Sequence, residues 1–443
     1  MTAVRFQPSG PLRGTLRAAA DKSISHRAAL LAAMSAGSCE ITGYLDAADT
    51  RSTLAAVEAL GAIVRAEPDD GGLAVRIEGI GLDGPRTGAA LDAGNAGTLI
   101  RLISGWLAGQ AGASFTVDGD ESIRRRPMGR IAEPLRLMGA GIDAAEGDRP
   151  PLRIEGAELA GIDYELPVAS AQVKSCLLLA GIQADGETKV REPERTRDHM
   201  ERMLRSAGVD VRIEERTALP TAPAPTTVTV RRAERPLRLP SLRVPGDLSS
   251  AAFHLVAAAL VPGSEVALAG VGLNPTRVGL LGILNRMGAR ITVEETGWEA
   301  GEPVGTVSAR HGSLEGTRVG GAEVPLAIDE LPLVGLLGCF AEGETVVTGA
   351  AELRHKESDR IATVVEGLRA LGGEIEALDD GFVVTGTGGL EGGAIEAAGD
   401  HRIAMLGAVA GLASRGGVRV DGMEAAGISY PGFEADLASL LDR

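Results

Sequence analysis

Aromatic side chains are scarce in this sequence, where Phe, Trp and Tyr make up 2% of 443 residues. Proteins that bind nucleic-acid bases commonly stack them on aromatic rings, so this shortage argues against that class of ligand. The formal net charge of −16 also repels phosphate backbones and anionic membranes. We therefore expect small-molecule substrates and no nucleic-acid or membrane partner.

Long apolar segments and paired cysteines are also missing. The most apolar stretches, residues 331–340 and 403–413, are too short to cross a bilayer, and residues 1–10 lack the basic and apolar regions of a secretion signal. The three cysteines and six histidines show no metal-ligand spacing. The sequence therefore predicts a cytoplasmic protein with free thiols and no metal ion.

One pattern recurs along the chain: a short aliphatic strand, a polar loop and an amphipathic helix that ends at a glycine. It occurs in residues 40–61, 115–139, 188–208, 265–288 and 345–372, and residues 418–441 resemble a truncated sixth copy. Each copy is an α/β unit whose helix buries one face, so several copies must pack together. Six copies divide naturally into two domains of three. The Pro-rich segment 220–225 and the basic segment 231–243 predict a crossover between the domains near the midpoint.

Cationic residues stand repeatedly where helices are predicted to begin. The amino terminus of a helix is the positive end of its dipole, so a cation there is unfavourable unless an anion joins it. Lys22 precedes Ser23, the predicted N-cap of a helix that runs to residue 37, and Arg27 follows four residues later on the same face. A capped helix with solvated charges is the alternative interpretation.

Further helix starts show a similar arrangement. The Gly-rich segment 94–98 opens a helix that carries Arg101, and its backbone amides could approach an oxyanion. Arg126 directly precedes Pro127, which suits the first position of a helix. Residues 170–174 open an apolar helix, and Arg197 stands at the start of another. Plain capping and solvated charge are the alternatives at these sites.

The densest charge cluster is residues 354–360, directly before an amphipathic helix, where Lys356 and Arg360 share a face. Surface salt bridges are the alternative there. Arg402 precedes the apolar segment 403–413, and an arginine at the start of a buried helix needs an anion. Cations about 8 Å apart repel by roughly 2 kcal/mol per pair, and bound carboxylates or phosphates would relieve that repulsion. The recurrence therefore predicts a site for small anions.

Three carboxylates are candidates for proton transfer. Asp329 and Glu330 lie in an apolar context, and Glu357 lies between two cations, Lys356 and Arg360. Such surroundings can tune the pKa of a carboxyl group for acid or base catalysis. Asp329 could equally cap the helix predicted for residues 331–340.

Three glycines have the spacing of a dinucleotide-binding motif, but the residues around them do not fit it. Gly79, Gly81 and Gly84 match it, but Pro85 follows and no helix opens, so a turn is predicted. No phosphate-binding loop that ends in Lys followed by Ser or Thr is present, which argues against ATP chemistry.

The motifs together resemble the 5-enolpyruvylshikimate-3-phosphate synthase family of enolpyruvyl transferases. The residues that carry the resemblance are 22–27, 94–98, 126–127, 170–174, 246–250, 329, 356–360 and 400–402. The resemblance implies an α/β fold of two inverse α/β barrel domains, built from six βαβαββ repeats. It implies a discontinuous domain 1, residues 1–20 plus 241–443, with the phosphoenolpyruvate and acid/base residues. Domain 2, residues 21–240, would bind shikimate 3-phosphate.

The resemblance also implies a reaction and a set of roles. The family transfers the enolpyruvyl group of phosphoenolpyruvate to the 5-hydroxyl of shikimate 3-phosphate, on the route to chorismate and the aromatic amino acids, and releases phosphate without any cofactor. The implied shikimate 3-phosphate site is Lys22, Ser23, Arg27, Ser170, Ala171, Gln172, Arg197, Asp329 and Lys356. The implied phosphoenolpyruvate site is Lys22, Gly97, Arg126, Gln172, Arg360 and Arg402.

Three residues are implied to be catalytic. Asp329 would take the proton from the attacking hydroxyl, Glu357 would deliver a proton to the methylene carbon, and Lys22 would contact both substrates. We expect a monomer that acts on two small anionic substrates.

Other functions compete with this interpretation. The sister enolpyruvyl transferase that acts on UDP-N-acetylglucosamine shares the fold and chemistry but lacks the pattern of residues 22–27. An NAD-dependent oxidoreductase rests only on the motif at Gly79 to Gly84. A non-catalytic anion-binding protein would keep the cations but need neither Asp329 nor Glu357.

The chain departs from the family pattern near its carboxy terminus. Many members carry a lysine three residues before the proline of a terminal motif, where this chain has Ile428 before Pro431. One contact to phosphoenolpyruvate is therefore missing or supplied by another residue, for which Lys356 is a candidate.

Several positions resemble the subclass that often tolerates glyphosate, although Gly97 is not the bulkier alanine of some tolerant members. They are residues 170–174, Arg197 with His199 and Glu201, Gly246 with Ser249, and Asn274 with Arg277. We hypothesise that the protein tolerates glyphosate, and an inhibition curve against phosphoenolpyruvate measures this. Low-micromolar inhibition would contradict the hypothesis.

Overall fold

The chain divides into two compact units in a computed structural model that describes residues 2–215 and 226–441. Unit 1 comprises Met1–Ala19, Gly246–Trp298 and Pro303–Arg443, and unit 2 comprises Ala20–Pro245 and Glu299–Glu302. The Pro-rich segment 220–225 lies outside the described residues. The basic segment 231–243 lies within unit 2, and the chain leaves that unit after Pro245, two residues beyond the segment. The return of residues 299–302 to unit 2 was not expected from the sequence.

The secondary structure alternates strands and helices along the chain. The strands are β1 Ala3–Phe6, β2 Arg13–Arg17, β3 Ala36–Tyr44, β4 Ile63–Asp69, β5 Gly72–Ile80, β6 Ala90–Asp92, β7 Ser114–Asp118, β8 Gly141–Ala145, β9 Arg149–Glu155, β10 Asp163–Glu165, β11 Glu187–Glu192, β12 Val211–Glu215, β13 Thr226–Arg231, β14 Leu242–Arg243, β15 Glu265–Gly272, β16 Arg290–Glu299, β17 Glu302–Arg310, β18 Arg318–Val319, β19 Glu344–Val347, β20 Glu374–Leu378, β21 Gly381–Thr385, β22 Gly393–Glu396 and β23 Val418–Asp421.

The α-helices are α1 Lys22–Met34, α2 Ala48–Ala59, α3 Gly97–Ala108, α4 Glu121–Arg125, α5 Gly129–Leu137, α6 Ala171–Gly181, α7 His199–Ser206, α8 Leu248–Leu260, α9 Gly279–Arg286, α10 Glu323–Ala327, α11 Leu331–Phe340, α12 Arg360–Ala370, α13 His401–Ala413 and α14 Phe433–Ser439. Short 3₁₀ helices span Ala351–His355 and Met423–Ile428. No helix in residues 2–215 or 226–441 is long and apolar enough to cross a membrane.

Each unit contains three small sheets within the described residues. Their strand orders are β14-β3-β5-β4, β6-β7-β9-β8 and β10-β11-β13-β12 in unit 2, and β16-β17-β15-β2, β18-β19-β21-β20 and β1-β23-β22 in unit 1. Every sheet combines one parallel pair of strands with antiparallel neighbours. A distant strand completes the first sheet of each unit, since β14 pairs with β3 and β2 pairs with β15. These sheets confirm the predicted α/β fold of six repeats.

In the part of the chain that the structure describes, three helices of each unit are buried almost all round. They are α1, α3 and α6 in unit 2, and α8, α11 and α13 in unit 1. Their side chains form much of the apolar core of each unit. The burial of α13 confirms that residues 403–413 belong to a buried helix.

The predicted N-cap of α1 is wrong. The helix begins at Lys22, and Asp21 caps it by accepting a hydrogen bond of 2.8 Å from the backbone N–H of Ile24. A carboxylate accepts this bond more strongly than the hydroxyl of Ser23 would, and it complements the helix dipole. The helix also ends at Met34, three residues before the predicted end.

The predicted helix start at Pro127 is also wrong. This proline lies between α4 and α5, and Arg124 and Arg125 occupy the last turn of α4. A cation at that end of a helix complements the dipole, so these two arginines need no bound anion. At Gly79 to Gly84 the expectation of a turn is confirmed, because β5 ends at Ile80 and no helix lies between β5 and β6.

A glycine allows α3 and α6 to pack closely. A Cβ atom placed on Gly105 would lie 2.1 Å from the backbone oxygen of Cys176 in α6. Backbone cannot move aside as a flexible side chain can, so the distance between the two helices depends on this missing Cβ.

We expect Gly105→Ala to lower the free energy of unfolding by about 3 kcal/mol, because the added methyl group forces the helices apart. The matched control is Gly282→Ala in α9, where no atom lies within 4 Å of the new Cβ. That control should raise stability by about 1 kcal/mol, since alanine favours the helix. Urea denaturation measures both changes, and equal effects would contradict the packing argument.

Candidate active site

The start of α1 carries two of the predicted cations in unit 2. Lys22 Nζ donates a hydrogen bond of 2.8 Å to Oδ2 of Asp49. One turn later Arg27, which is 2% exposed, donates from Nη1 to the backbone oxygen of Ser23 and from Nη2 to Ser175 Oγ of α6, each at 2.9 Å. Arg27 therefore joins the starts of α1 and α6.

The positive charge at this helix start affects a neighbouring histidine. His26 is fully buried, and its pKa lies well below the ordinary value because burial disfavours the charged ring and Lys22 and Arg27 repel a further positive charge. The imidazole is therefore neutral, and the cationic character of the site comes from Lys22 and Arg27.

The starts of α3 and α6 are joined by polar side chains. Arg101 Nη1 donates to Gln172 Oε1 at 2.9 Å and to the backbone oxygen of Gly97 at 3.2 Å, and Gln172 Nε2 donates to Thr98 Oγ1 at 3.0 Å. Ser170 caps α6 by accepting a hydrogen bond from the backbone N–H of Val173. Gln172 is therefore held in one orientation by both ends of its amide.

Gly97 lets two guanidinium groups approach the start of α3. A Cβ atom there would lie 2.8 Å from Arg126 Nη1 and 3.0 Å from Arg101 Nη1. Arg126 also donates to Ser122 Oγ at 3.3 Å. Two arginines beside backbone N–H groups at a helix amino terminus form a favourable environment for an anion.

Lys174 is held by protein carboxylates. Its Nζ lies 2.8 Å from Glu192 Oε2 and 2.6 Å from Glu201 Oε1, and all three side chains are at most 1% exposed. Burial alone would lower the pKa of Lys174, but Glu201 and Glu192 raise it above the ordinary value. This lysine therefore anchors α6 to β11 and α7. Ala171, the first residue of α6, and Arg197, between β11 and α7, are both half-buried.

A buried arginine organises the predicted residues of unit 1. Arg360 is 1% exposed and donates from Nε to Asp400 Oδ2 at 2.8 Å, from Nη1 to Asp329 Oδ1 at 3.1 Å, and from Nη2 to Glu357 Oε2 at 2.5 Å. Burial would lower the pKa of Arg360, but Asp400, Glu357 and Asp329 raise it above its ordinary value. The guanidinium therefore stays charged and fixes three carboxylates.

Lys356 and Arg402 complete this cluster. Lys356 Nζ donates to Asp329 Oδ1 at 3.2 Å, and Arg402 Nη1 donates to the backbone oxygen of Asp329 at 3.0 Å. Asp329 does not cap α11, because the N-cap is Glu330, so the capping interpretation of Asp329 is wrong. Arg402 Nη1 lies 3.6 Å from Glu330 Oε1, which also accepts a hydrogen bond from Ser249 at the start of α8.

The predicted residues thus belong to two sets, one in each unit. Lys22, Ser23, Arg27, Gly97, Arg126, Ser170, Ala171, Gln172 and Arg197 belong to unit 2, and Asp329, Lys356, Glu357, Arg360 and Arg402 belong to unit 1. Ile428 packs against the apolar core of unit 1 and offers no charge to an anion.

Two of the carboxylates that hold the cations were given no role from the sequence. Asp49 is 27 residues from Lys22, and Asp400 is 40 residues from Arg360. No local spacing relates such pairs. Asp400 was at least identifiable as a polar residue before an apolar helix, and it caps α13 through the backbone N–H of Arg402.

The inner helices are the six buried ones, α1, α3, α6, α8, α11 and α13, and they begin beside arginine, lysine or carboxylate side chains. Six α/β repeats with such helix starts define a class of enzymes that bind small anions. The model of the family EPSP synthase (3-phosphoshikimate 1-carboxyvinyltransferase) matches residues 6–437. The chain belongs to this family, which confirms the resemblance predicted from its motifs.

Individual relatives agree with the family match. The chain is 49% identical over 441 residues to a 3-phosphoshikimate 1-carboxyvinyltransferase of Thermus thermophilus, covering 99% of each chain. It is 47% identical to one from a Synechococcus species, covering 99% of this chain and 96% of the other. A solved structure of EPSP synthase from Acinetobacter baumannii is 41% identical, with a TM-score of 0.83 over 99% of this chain and 98% of that chain.

Removing the charge of Asp400 should destabilise unit 1. We expect Asp400→Asn to lower the free energy of unfolding by about 3 kcal/mol, because the buried Arg360 loses a partner while asparagine can still cap the helix. The control is Glu391→Gln, which breaks an exposed pair with Arg415 and should cost about 0.5 kcal/mol or less. Urea denaturation at neutral pH compares the two variants.

The difference in unfolding free energy between wild type and Asp400→Asn should depend on pH. Burial alone would raise the pKa of Asp400, but Arg360 and His401 lower it below the ordinary value despite repulsion from Glu357. The stabilisation is therefore present above the ordinary carboxyl pKa of about 4 and is lost as the pH falls through the lower folded value. A difference from wild type that stays constant from pH 7 to pH 2 would contradict the pairing.

Proposed function

We propose that this protein transfers the enolpyruvyl group of phosphoenolpyruvate to the 5-hydroxyl of shikimate 3-phosphate and releases phosphate. The observation that carries the proposal is the family match over residues 6–437, in a chain that retains the cationic motifs at the starts of its inner helices. The proposal includes small anionic substrates and no resident cofactor. A cytoplasmic location, a monomeric state and glyphosate tolerance stay predictions.

Shikimate 3-phosphate is assigned mainly to residues of unit 2. They are Lys22, Ser23, Arg27, Ser170, Ala171, Gln172 and Arg197, together with Asp329 and Lys356 of unit 1. The fixed orientation of Gln172, between Arg101 and Thr98, supports its role as a positioning group for substrate oxygens. The side chain of Lys22 is 21% exposed, so it is not sealed in the core beside Asp49.

Phosphoenolpyruvate is assigned to six residues, which supply four cations, one side-chain amide and one glycine that allows a close backbone approach. They are Lys22, Gly97, Arg126, Gln172, Arg360 and Arg402. The absence of a Cβ on Gly97 supports this assignment, because the backbone and Arg126 can then contact the same anion. Arginine forks suit both the carboxylate and the phosphate of this substrate. Many family members have a lysine at the position of Ile428. Lys356, which contacts Asp329 beside Arg360, is our candidate for the cation that replaces it.

The chemistry requires one proton acceptor and one proton donor. The 5-hydroxyl oxygen of shikimate 3-phosphate adds to C2 of phosphoenolpyruvate while C3 gains a proton, and phosphate then leaves as C3 loses a proton. Asp329 suits the acceptor role for the hydroxyl proton, because Lys356 and Arg360 both contact its Oδ1 and favour the ionised form. Glu357 is assigned as the donor to C3 from the family resemblance, and it must first take up a proton, because its contact with the same guanidinium favours the ionised form. The surrounding cations would stabilise charge on the departing phosphate.

Phosphate release tests the proposed reaction. We expect wild-type protein to release phosphate only when both phosphoenolpyruvate and shikimate 3-phosphate are present. Lys22→Met should lower kcat/KM by roughly 100-fold, because it removes a charge-assisted contact to both substrates. The matched control, Lys189→Met, removes an exposed lysine of β11 that pairs with Glu187 and should change kcat/KM by less than about twofold.

Two outcomes would contradict the proposal. One is well-folded wild-type protein that releases no phosphate from the mixed substrates. The other is Lys22→Met activity equal to that of Lys189→Met, which would remove Lys22 from the assigned site even if the reaction itself occurs.

A further inference from the structure

A separate cluster of arginines lies in unit 1, on the sheet β16-β17-β15-β2. Glu265 at the start of β15 stands in register with Arg13 of β2 on one side and Arg310 of β17 on the other. Arg290 opens β16, the strand beside β17. The three arginines line one pocket of about 570 Å³, and none of them belongs to the candidate active site.

The charges around this pocket are unbalanced. Arg310 pairs with Glu265, which is the one carboxylate among the described residues that line the pocket. Within residues 2–215 and 226–441, Arg13 and Arg290 have no ion pair comparable to that of Arg310 with Glu265. Arg290 and Arg310 lie on the neighbouring strands β16 and β17, where their like charges repel, and the single carboxylate of Glu265 cannot balance all three arginines. This concentration of positive charge is unusual in a chain with a net charge of −16.

Neutral and titratable donors accompany the arginines. The hydroxyl groups of Thr15 and Ser308 and the imidazole of His311 also line the pocket. His311 Nδ1 lies 2.9 Å from the backbone oxygen of Ala259, an acceptor only, so Nδ1 carries a hydrogen and the ring orientation is defined. The pocket is large enough for a small molecule and is open to solvent, since the side chains of Arg310 and Glu265 are 61% and 58% exposed.

We propose that this pocket binds a small oxyanion with at least two negative charges, either a phosphorylated or a polycarboxylate molecule. The guanidinium groups of Arg13 and Arg290 contact its anionic groups, because planar forks pair with phosphate or carboxylate through two hydrogen bonds. Arg310 is shared between the ligand and Glu265. This site does not depend on the proposed transferase reaction.

Histidine NMR of the full-length protein tests the proposal, with inorganic pyrophosphate and citrate as the probes. The chain has six histidines, so the imidazole signal of His311 can be assigned by its loss in a His311→Gln variant. The signal reports on the pocket itself, and anion binding at the candidate active site does not contribute to it. We expect at least one probe to shift it saturably, and the effective probe distinguishes a phosphate ligand from a carboxylate ligand.

Variants then test the arginines. Arg13→Ala combined with Arg290→Ala should weaken the probe by at least roughly tenfold, and Arg65→Ala, an exposed arginine of unit 2, should leave its affinity within about twofold. Glu265→Gln should strengthen binding several-fold, because it removes the competing carboxylate. All these residues lie outside the assigned active site, so phosphate release from the two substrates should be unchanged.

The proposal would be overturned if neither probe shifted His311 saturably. It would be overturned equally if the Arg13→Ala/Arg290→Ala protein, folded with wild-type thermal stability, bound the probe as tightly as the Arg65→Ala protein.

Discussion

The candidate site of unit 1 depends on one fully buried guanidinium group. Taking an ion out of water costs several kcal/mol, and only well-placed partners offset that cost. Arg360 obtains them from Asp329 before α11, Glu357 before α12 and Asp400 before α13, so one side chain fixes three segments that are far apart in sequence. Removing one partner leaves the cation unbalanced, whereas an anionic substrate would add a partner.

In unit 2 the groups at the helix starts are held by a buried lysine and by a side-chain amide. Lys174 lies between Glu192 and Glu201, and it holds the start of α6 against β11 and α7. Gln172, two residues earlier, is oriented by Arg101 and Thr98 of α3. The close backbone contact at Gly105 holds these two helices together, so the packing of the core positions the polar groups at its edge.

The sequence predicted those features of the fold and the site that depend on residues close together in the chain. Repeats, buried helices and cations at helix starts follow from the spacing of residues within one element, so Arg360, Arg402 and Lys22 could be found in the sequence. Cation partners such as Asp49 and Asp400 come from other elements, and only the fold brings them near. Two predictions were wrong because another residue nearby caps the helix better. Asp21, not Ser23, is the N-cap of α1, and Asp120 is the N-cap of α4, which places Arg124 at the carboxy-terminal end of that helix.

We expect the cations at the helix starts, which pair with protein carboxylates in the free protein, to bind the anionic groups of the substrates. A crystal structure of the protein with shikimate 3-phosphate bound tests it most directly. We predict that a ligand oxygen lies within hydrogen-bond distance of Lys22 Nζ and that Gln172 also contacts the ligand. Shikimate 3-phosphate bound away from both residues, with the Lys22 to Asp49 pair unchanged, would contradict it.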